Sequence, residues 1–288
     1  MKGSPNLPRD AALEHLVREA YLEIFPTPSI ERRLADLAPG SFVSVSCSPT
    51  KGVDATLDLT HRLADRGFRV VPHIAAKMVR GDGHLREIMA RLEDLPVDSI
   101  FVPGGDAARP LGPFGTAWQL LQAISEYDHR FAEIGIATHP EGHPEVAADV
   151  LLAELERKQA LATYLVTQMC FDVQLLGRWL RAIRARGVRL PAWIGIPGVS
   201  DRATLLKTSL RIGVGDSLRF LRRKRDAVAR FLSASVYTPD ALLRALAPLL
   251  HEESLDIAGC HVFSFNQVEQ TEAWRRQALA VMQSPADT

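Results

Sequence analysis

Short apolar runs alternate along the chain with amphipathic stretches, and the two kinds of segment have different periods. The apolar runs are rich in Val, Ile and Phe and are closed by Pro, Gly or polar residues, which is typical of buried strands. The stretches between them repeat apolar residues at a spacing near 3.6, which is typical of helices that cover a sheet. Predicted strands span residues 20–26, 42–47, 68–74, 99–103, 133–138, 163–167, 192–196 and 257–265.

Predicted helices fill most of the intervals between these strands. Asp10 is placed to cap a first helix that ends near Glu19, and Gly67 is placed to end the helix after the second strand. The other predicted helices span residues 29–37, 53–66, 83–95, 118–127, 144–159, 173–186, 201–209, 215–233, 238–252 and 267–283.

Eight strands, each followed by helix, predict a parallel sheet covered by helices. Eight such units in under 300 residues favour a closed (β/α)8 TIM barrel over an open doubly wound sheet. The missing GxGxxG after the first strand weakens the dinucleotide-binding alternative further. The expected organisation is an N-terminal extension and helix over residues 1–19 and a single barrel domain over residues 20–288.

Composition narrows the classes of partner. The 288 residues include 34 basic and 34 acidic side chains, and no basic block is long enough to indicate nucleic-acid binding. No apolar run reaches the ~18 residues of a membrane span, and no signal peptide is evident. Three widely spaced cysteines without a CxxC pair suit a reduced, cytoplasmic protein. The oligomeric state is left open, a homo-oligomer included.

Glu23 is the one charged residue inside the first predicted strand. Alternation puts it on the same face as Tyr21 and Phe25, so a buried strand would point its carboxyl group into the interior. Burial among aromatics is then expected to raise its pKa above the ordinary value of about 4.3 and keep a proton on it. The alternative is an edge strand that leaves Glu23 in water.

Polar residues recur where the predicted strands end, and in a TIM barrel the active site lies at that end of the strands. The clearest cases are Ser44 and Ser46, His73, Gly104-Gly105-Asp106, the segment from His139 to Glu145, Thr167-Gln168, and Asn266.

Each of these has a plainer interpretation. His139, Glu141, His143 and Glu145 resemble metal ligands, but the prolines between them prevent a helix that would align them, and no metal is predicted. The segment from Gly104 to Asp106 also suits a tight turn, and Gln168 suits backbone hydrogen bonding. Cys170 lacks the neighbours of a nucleophile.

Taken in order, the motifs resemble those of the methylenetetrahydrofolate reductase family over nearly the whole chain. The family's Phe-Glu-Phe-Phe-Pro-Pro strand is similar to Leu22-Glu-Ile-Phe-Pro26, and its Leu-Arg-Gly-Asp is similar to Pro103-Gly-Gly-Asp106. Further matches are Phe42-Val-Ser-Val-Ser46, Pro72-His-Ile74, His139-Pro-Glu-Gly-His-Pro-Glu145, Leu155-Glu-Arg-Lys158, Thr167-Gln-Met-Cys-Phe-Asp172, Pro197-Gly198 and His261-Val-Phe-Ser-Phe-Asn266.

The resemblance implies reduction of 5,10-methylenetetrahydrofolate to 5-methyltetrahydrofolate with hydride from NADH or NADPH. By position, Glu23 matches the acid that protonates N10, and Asp106 and Gln168 match residues that hold the pterin. Phe220 roughly matches an aromatic that stacks on the folate or the nicotinamide. The implied nicotinamide or flavin face comprises Ser46, His73, Gly105, His139, His143 and Lys158.

Departures from the family pattern concentrate on the positions that hold its FAD. Gly104 replaces an arginine, and His139 and Thr116 replace tyrosines, while Leu151 and Glu154 stand where polar contacts are usual. These changes suggest a flavin-independent variant in which the nicotinamide passes hydride directly to the folate. The alternatives are an ordinary FAD-dependent reductase, a related pterin reductase with a deazaflavin donor, and a folate-binding protein without turnover.

Overall fold

A computed structural model describes residues 7–211 and 236–284 of the chain. Its strands are β1 (Tyr21–Ile24), β2 (Phe42–Val45), β3 (Arg69–Pro72), β4 (Ser99–Val102), β5 (Glu133–Thr138), β6 (Tyr164–Thr167), β7 (Ala192–Pro197), β8 (Ser200–Asp201), β9 (Val236–Tyr237) and β10 (Ile257–Phe263). Its α-helices are α1 (Ala11–Arg18), α2 (Ile30–Arg33), α3 (Gly52–Asp65), α4 (Asp82–Glu93), α5 (Ala117–Ser125), α6 (Ala148–Lys158), α7 (Val173–Ala185), α8 (Arg202–Arg211), α9 (Asp240–Leu250) and α10 (Val268–Gln283). Short 3-10 turns occupy Ala76–Met78, Gln159–Leu161 and Glu253–Leu255.

The eight long strands form one parallel sheet in the order β3-β2-β1-β10-β7-β6-β5-β4. The two outermost strands in this order also meet, because the Ile74 amide donates to the Phe101 carbonyl at 2.8 Å and the Ala76 amide donates to the Pro103 carbonyl at 2.9 Å. These bonds bring the sheet to closure, with helices between successive strands. The predicted (β/α)8 barrel is therefore confirmed.

Alternation along β1 divides its side chains between two layers. Leu22 and Ile24 point outward and join the main core beneath the helices, while Tyr21 belongs to a separate cluster inside the barrel. Because both faces of a parallel barrel strand are covered, all four residues of β1 are buried. The alternative of an edge strand with Glu23 in water is thus excluded.

Four aromatic rings fill the barrel at the amino-terminal end of its strands, and we call this cluster the aromatic plug. Tyr21 lies with its ring centroid 4.6 Å from that of Phe42 and 4.5 Å from that of Trp193, and Tyr164 lies 6.4 Å from Trp193. The Arg69 guanidinium stacks on the Phe42 ring at 3.9 Å. Because these rings fill the amino-terminal end of the barrel, a polar site has room only at the carboxyl-terminal end of the strands.

Helix α1 begins as predicted, since the Asp10 carboxylate accepts hydrogen bonds from the amides of Ala12 and Leu13 at 2.9 and 3.2 Å. Its apolar face, which includes Leu13 and Val17, belongs to the same core as the barrel strands. The domain boundary expected between residues 19 and 20 stays a prediction.

Some predicted elements differ from the structure. Helix α2 ends at Arg33, although the helix was predicted to continue to residue 37. Helix α6 begins at Ala148 instead of residue 144, because residues 143–146 form a turn. The short antiparallel pair β8–β9 was not predicted. The helix predicted over residues 215–233 lies outside the described residues.

Among the residues that the structure describes, no helix has both the length and the apolar character that crossing a membrane would require. The three cysteines are free thiols, and Cys170 and Cys260 are buried.

Candidate functional site

Glu23 lies inside the barrel at the junction of the first and last long strands. β1 and β10 run in parallel, with Tyr21 opposite His261 and Glu23 opposite Phe263. The Glu23 side chain is only 6% exposed and that of His261 only 4%, and Glu23 Oε2 lies 2.8 Å from His261 Nε2. The Ser46 side chain also hydrogen-bonds to the Glu23 carboxylate. The predicted inward direction of Glu23 is confirmed, but its nearest polar partner is a histidine.

A second hydrogen-bonded couple borders this pair. Ser44 Oγ lies 2.5 Å from His73 Nε2, and both residues are buried. The His73 ring packs against Phe101 with a centroid distance of 4.6 Å, and it lies 6.1 Å from the His261 ring. Strands β1, β2, β3 and β10 thus bring one carboxyl group, two imidazoles and two hydroxyls together at the barrel interior.

The pKa expected for Glu23 was wrong in direction. Burial does raise the pKa of this carboxyl group, but the hydrogen bond from His261, the electrostatic interactions with His73 and His261 and the hydrogen bond from Ser46 together lower it below its ordinary value. Burial works the other way on His73, whose pKa falls to about 4 because its charged form is desolvated. At neutral pH the structure therefore favours an ionised Glu23 beside a neutral His73.

Glu23, His73 and His261 also offer residue types that bind metal ions, with one ligand atom from each lying within 4.8 Å of the others. These atoms already have protein partners, since His261 is hydrogen-bonded to Glu23 and His73 to Ser44. A metal ion would have to displace both bonds. The hydrogen-bond pattern therefore suits proton transfer, and the expectation of no metal stays a prediction.

A second polar group lies where β5 and β6 end. His139 and His143 pack with ring centroids 5.1 Å apart, and Lys158 is buried with Nζ 3.4 Å from the Ala137 carbonyl oxygen. Burial lowers the pKa of Lys158, and burial with the nearby charges of His143 and Lys158 lowers the pKa of His139 to about 4. The structure thus brings together three of the residues predicted for the cofactor face, while Ser46 and His73 lie with Glu23 instead.

Gln168 begins the segment after β6, and its side chain is turned back on its own backbone. The carboxamide oxygen accepts from the Met169 amide at 2.9 Å, while the Gln168 amide donates to the Thr138 carbonyl at 2.8 Å. The plainer interpretation of Gln168, bonding to backbone, is therefore present in this structure. Within the described part of the chain, the carboxamide NH2 group of Gln168 donates no hydrogen bond to a protein atom.

The Gly104-Gly105-Asp106 segment combines a turn with an accessible carboxylate. Gly105 has φ +90°, and an added Cβ would lie 3.0 Å from the Ala75 side chain, so both conformation and space favour glycine. Asp106 is exposed at the end of β4. The turn therefore presents Asp106 to solvent at the rim of the barrel. Phe220, the remaining predicted contact, lies outside the described residues.

The sequence placed Ser44 at the active-site end of its strand, but it did not identify His261 as a member of the site. A usable signal existed for His261, because a closed eight-stranded barrel must place the last strand beside the first. Alternation along β10 then puts His261 on the inner face with Phe263. The position of His261 opposite Tyr21, and hence its reach to Glu23, depends on the strand register, which local sequence does not give.

Comparison with known proteins decides the family. Residues 30–210 match the family model described as methylenetetrahydrofolate reductase, which covers more than half of the chain. The chain belongs to the methylenetetrahydrofolate reductase family. The resemblance drawn from the motifs is thereby confirmed.

A curated relative within this family is Methylenetetrahydrofolate reductase 2 of Saccharomyces cerevisiae, which is 34% identical over 101 residues. The match covers 33% of this chain and 17% of the yeast protein, so the chain aligns with only a small part of that relative. Among solved structures, an uncharacterized protein from Clostridium thermocellum that binds two copies of 5-methyl-5,6,7,8-tetrahydrofolic acid aligns with a TM-score of 0.59. Identity is 12% over 92% of this chain and 93% of that one, and the likeness supports the barrel fold alone.

Proposed function

We propose that this protein reduces 5,10-methylenetetrahydrofolate to 5-methyltetrahydrofolate, with NADH or NADPH as the hydride donor. The observation that carries the proposal is a buried carboxyl group, Glu23, held by His261 and Ser46 inside the barrel of a methylenetetrahydrofolate reductase family member. A protein that only bound folate would have no need to bury an acid, because burial of an ionisable group costs stability.

The proposed reaction has two steps. Glu23 gives a proton to N10 as the bond between N10 and the methylene carbon breaks, and the electron pair of that bond stays on N10. This leaves an iminium cation at N5. Hydride from the nicotinamide then adds to the iminium carbon, which becomes the methyl group. Both steps depend on positioning, since hydride transfer needs the two carbons about 3–3.5 Å apart.

Asp106 and Gln168 are proposed to hold the pterin ring, whose edge carries both donors and acceptors. The exposed Asp106 carboxylate accepts hydrogen bonds, and the Gln168 carboxamide has both a donor and an acceptor. In the proposed complex Gln168 turns from the Met169 amide toward the ligand. Phe220 would stack on the folate or the nicotinamide.

Direct hydride transfer, without a bound flavin, is the second part of the proposal. Two of the positions that hold FAD in the family carry residues that poorly suit a flavin pyrophosphate. Gly104 has no side chain, and the Thr116 hydroxyl is used as an acceptor that caps α5 in a capping box with Gln119. These residues supply no exposed cation to a pyrophosphate, so no step is assigned to a flavin.

The nicotinamide would instead lie on the face where β5 and β6 end, beside His139, His143 and Lys158. Ser46, His73 and Gly105, which follow β2, β3 and β4, are proposed to contact the nicotinamide from the side of Glu23. Neutral imidazoles suit an uncharged carboxamide and ring better than they suit phosphate, and the lowered pKa of His139 favours the neutral form.

The deciding experiment combines a visible spectrum of the purified protein with an assay of NADH and NADPH oxidation in the presence of methylenetetrahydrofolate. We expect turnover by a colourless protein and initial-rate patterns of a ternary complex. Stoichiometric FAD absorbance with ping-pong kinetics would overturn direct transfer but leave the reductase assignment intact. Folate binding without turnover by either nucleotide would overturn the reductase assignment.

Glu23→Gln tests the acid directly. The variant should bind folate with nearly unchanged affinity and lose about 10²-fold or more in kcat, the usual contribution of a general acid. Glu87→Gln, at an exposed position of α4, is the matched control and should keep wild-type kcat. An active Glu23→Gln enzyme would remove Glu23 from the mechanism.

A further inference from the structure

Glu23 and His261 form a contact that the motifs alone do not explain. Their side chains meet at 2.8 Å although the two residues are 238 positions apart in the sequence. Both are more than nine-tenths buried, so water competes little for either group. A buried carboxyl group and imidazole at this distance form a direct hydrogen bond along the Oε2···Nε2 line.

The groups that face this pair come from five residues on four strands of the barrel wall. β2 contributes the hydroxyls of Ser44 and Ser46, β3 contributes the imidazole of His73, and β4 contributes the Phe101 ring, stacked 6.2 Å from the His261 ring. β10 itself adds Phe263, 5.0 Å from His261. The titratable group among them, other than the pair itself, is His73.

His73 is not equivalent to His261. Ser44 Oγ lies 2.5 Å from His73 Nε2, so this ring nitrogen of His73 is hydrogen-bonded to Ser44 and not to Glu23. His261 is therefore the imidazole with direct hydrogen-bond access to the carboxyl group.

We propose that His261 is a positioning residue that holds Glu23 in place and restores its proton after each turnover. The inference rests on the proposed function. Glu23 loses one proton to N10 as the C–N10 bond breaks, and the electron pair remains on N10. The resulting carboxylate takes the next proton from Nε2 of the imidazolium form of His261, which becomes a neutral imidazole, and this imidazole takes a proton from the solvent once the product has left. One proton is consumed per turnover, which balances the charge of the methyl product after hydride transfer.

His261 acts on the Glu23 carboxyl group in two ways. Burial raises the pKa of Glu23, and the hydrogen bond from His261 is the main cause that lowers it, so the carboxylate is ready to take up a proton between turnovers. The same bond places the imidazole 2.8 Å from the carboxylate, which gives Glu23 a direct donor for its next proton.

The test is a pH profile of kcat/KM for His261→Gln, whose carboxamide keeps a hydrogen-bond donor but does not titrate. Removing the imidazole should raise the pKa of Glu23, so the limb in which activity falls with rising pH should shift upward by roughly one unit. We expect kcat to fall about 10-fold or more, while KM for folate changes less than about 3-fold. His84→Gln replaces a similarly buried histidine on α4, outside the site, and should leave the profile unchanged.

Different failures have different meanings. A wild-type enzyme without reductase turnover would overturn the proposed function. Wild-type turnover with an unshifted profile and unchanged kcat in folded His261→Gln would overturn the role of His261 alone. Should His261→Gln not fold, ¹⁵N-histidine labelling of the wild type provides the answer. The His261 Nε2 resonance should report a proton shared with a carboxylate and should change in Glu23→Gln, and an unchanged resonance would contradict the proposal.

Discussion

Two glycines make room for the rings of the aromatic plug. A Cβ added to Gly259 on β10 would lie 2.3 Å from the Trp193 ring, and one added to Gly135 on β5 would lie 2.2 Å from the Tyr164 ring. Neither glycine has a positive φ, so the requirement is one of space and not of backbone conformation. The absence of a Cβ atom at these two positions therefore leaves room for the Trp193 and Tyr164 rings inside the barrel.

Gly259→Ala should therefore destabilise the protein by about 1–3 kcal/mol, the usual cost of overpacking a filled core. Urea unfolding measures the change. Gly83→Ala is the control, since its Cβ meets nothing within 4 Å and Gly83 lies in helix α4. That substitution should be neutral or stabilising by up to about 1 kcal/mol. Equal effects of the two substitutions would contradict the packing argument.

Helix α7 is tied to the barrel by one buried arginine. Arg184 donates through Nη2 to the Leu255 carbonyl at 2.7 Å and through Nη1 to the carbonyls of Leu190 and Val188 at 2.8 and 3.1 Å. These carbonyls lie on the segments that lead into β7 and β10. A single guanidinium thus joins the end of a helix to the starts of two adjacent strands.

Arg184→Met should lower the free energy of unfolding by about 2–4 kcal/mol, because it leaves several buried carbonyl oxygens without a donor. The matched control is Arg186→Met, two residues further along, where the side chain pairs with Glu156 at the surface. Chemical denaturation should show a clear drop in the midpoint for the first variant and a small one for the second. A similar drop for both would mean that charge, rather than the buried hydrogen bonds, is responsible.

The elements themselves were largely predictable from the sequence, because their signals are local. Alternation and turn residues located all eight barrel strands, and period two gave the inward direction of Glu23. The side-chain partners were not predictable in the same way. Glu23 was expected among aromatics, yet its pKa is lowered by a histidine that strand register, and not local sequence, brings to it. The bond from Gln168 to backbone was one of the two predicted interpretations, but the particular amide, that of Met169, was given by no motif.

At the scale of the whole molecule, the buried His73 and the partly buried His139 make the stability of the fold depend on pH. The pKa values of His73 and His139 are both lowered to about 4 in the folded protein, mainly by burial. Below the ordinary value of about 6.5 the unfolded chain binds protons that the folded barrel does not. The stability contributed by these neutral imidazoles is therefore present above pH 6.5 and is lost as the pH falls from about 6.5 toward 4.

His73→Gln should reduce this acid sensitivity. The loss of unfolding free energy between pH 7.5 and pH 5.0 should be smaller than in the wild type by about 1–2 kcal/mol, from urea titrations at the two values. His61→Gln, at an exposed position of α3, is the control and should keep the wild-type difference. An unchanged difference in His73→Gln would mean that His73 titrates in the folded state as it does in the unfolded chain.

The junction between β1 and β10 has a consequence for how the chain is made. At about 5–20 residues per second, a ribosome takes roughly 10–50 s to proceed from Glu23 to His261, its partner 238 residues later. Through that interval Glu23 belongs to a strand that is apolar on both sides but lacks its closest polar partner. Burying an ionised carboxylate without its partner in an incomplete barrel is unfavourable in free energy. The acid therefore disfavours premature closure, and the arrival of the last strand both completes the barrel and relieves that cost.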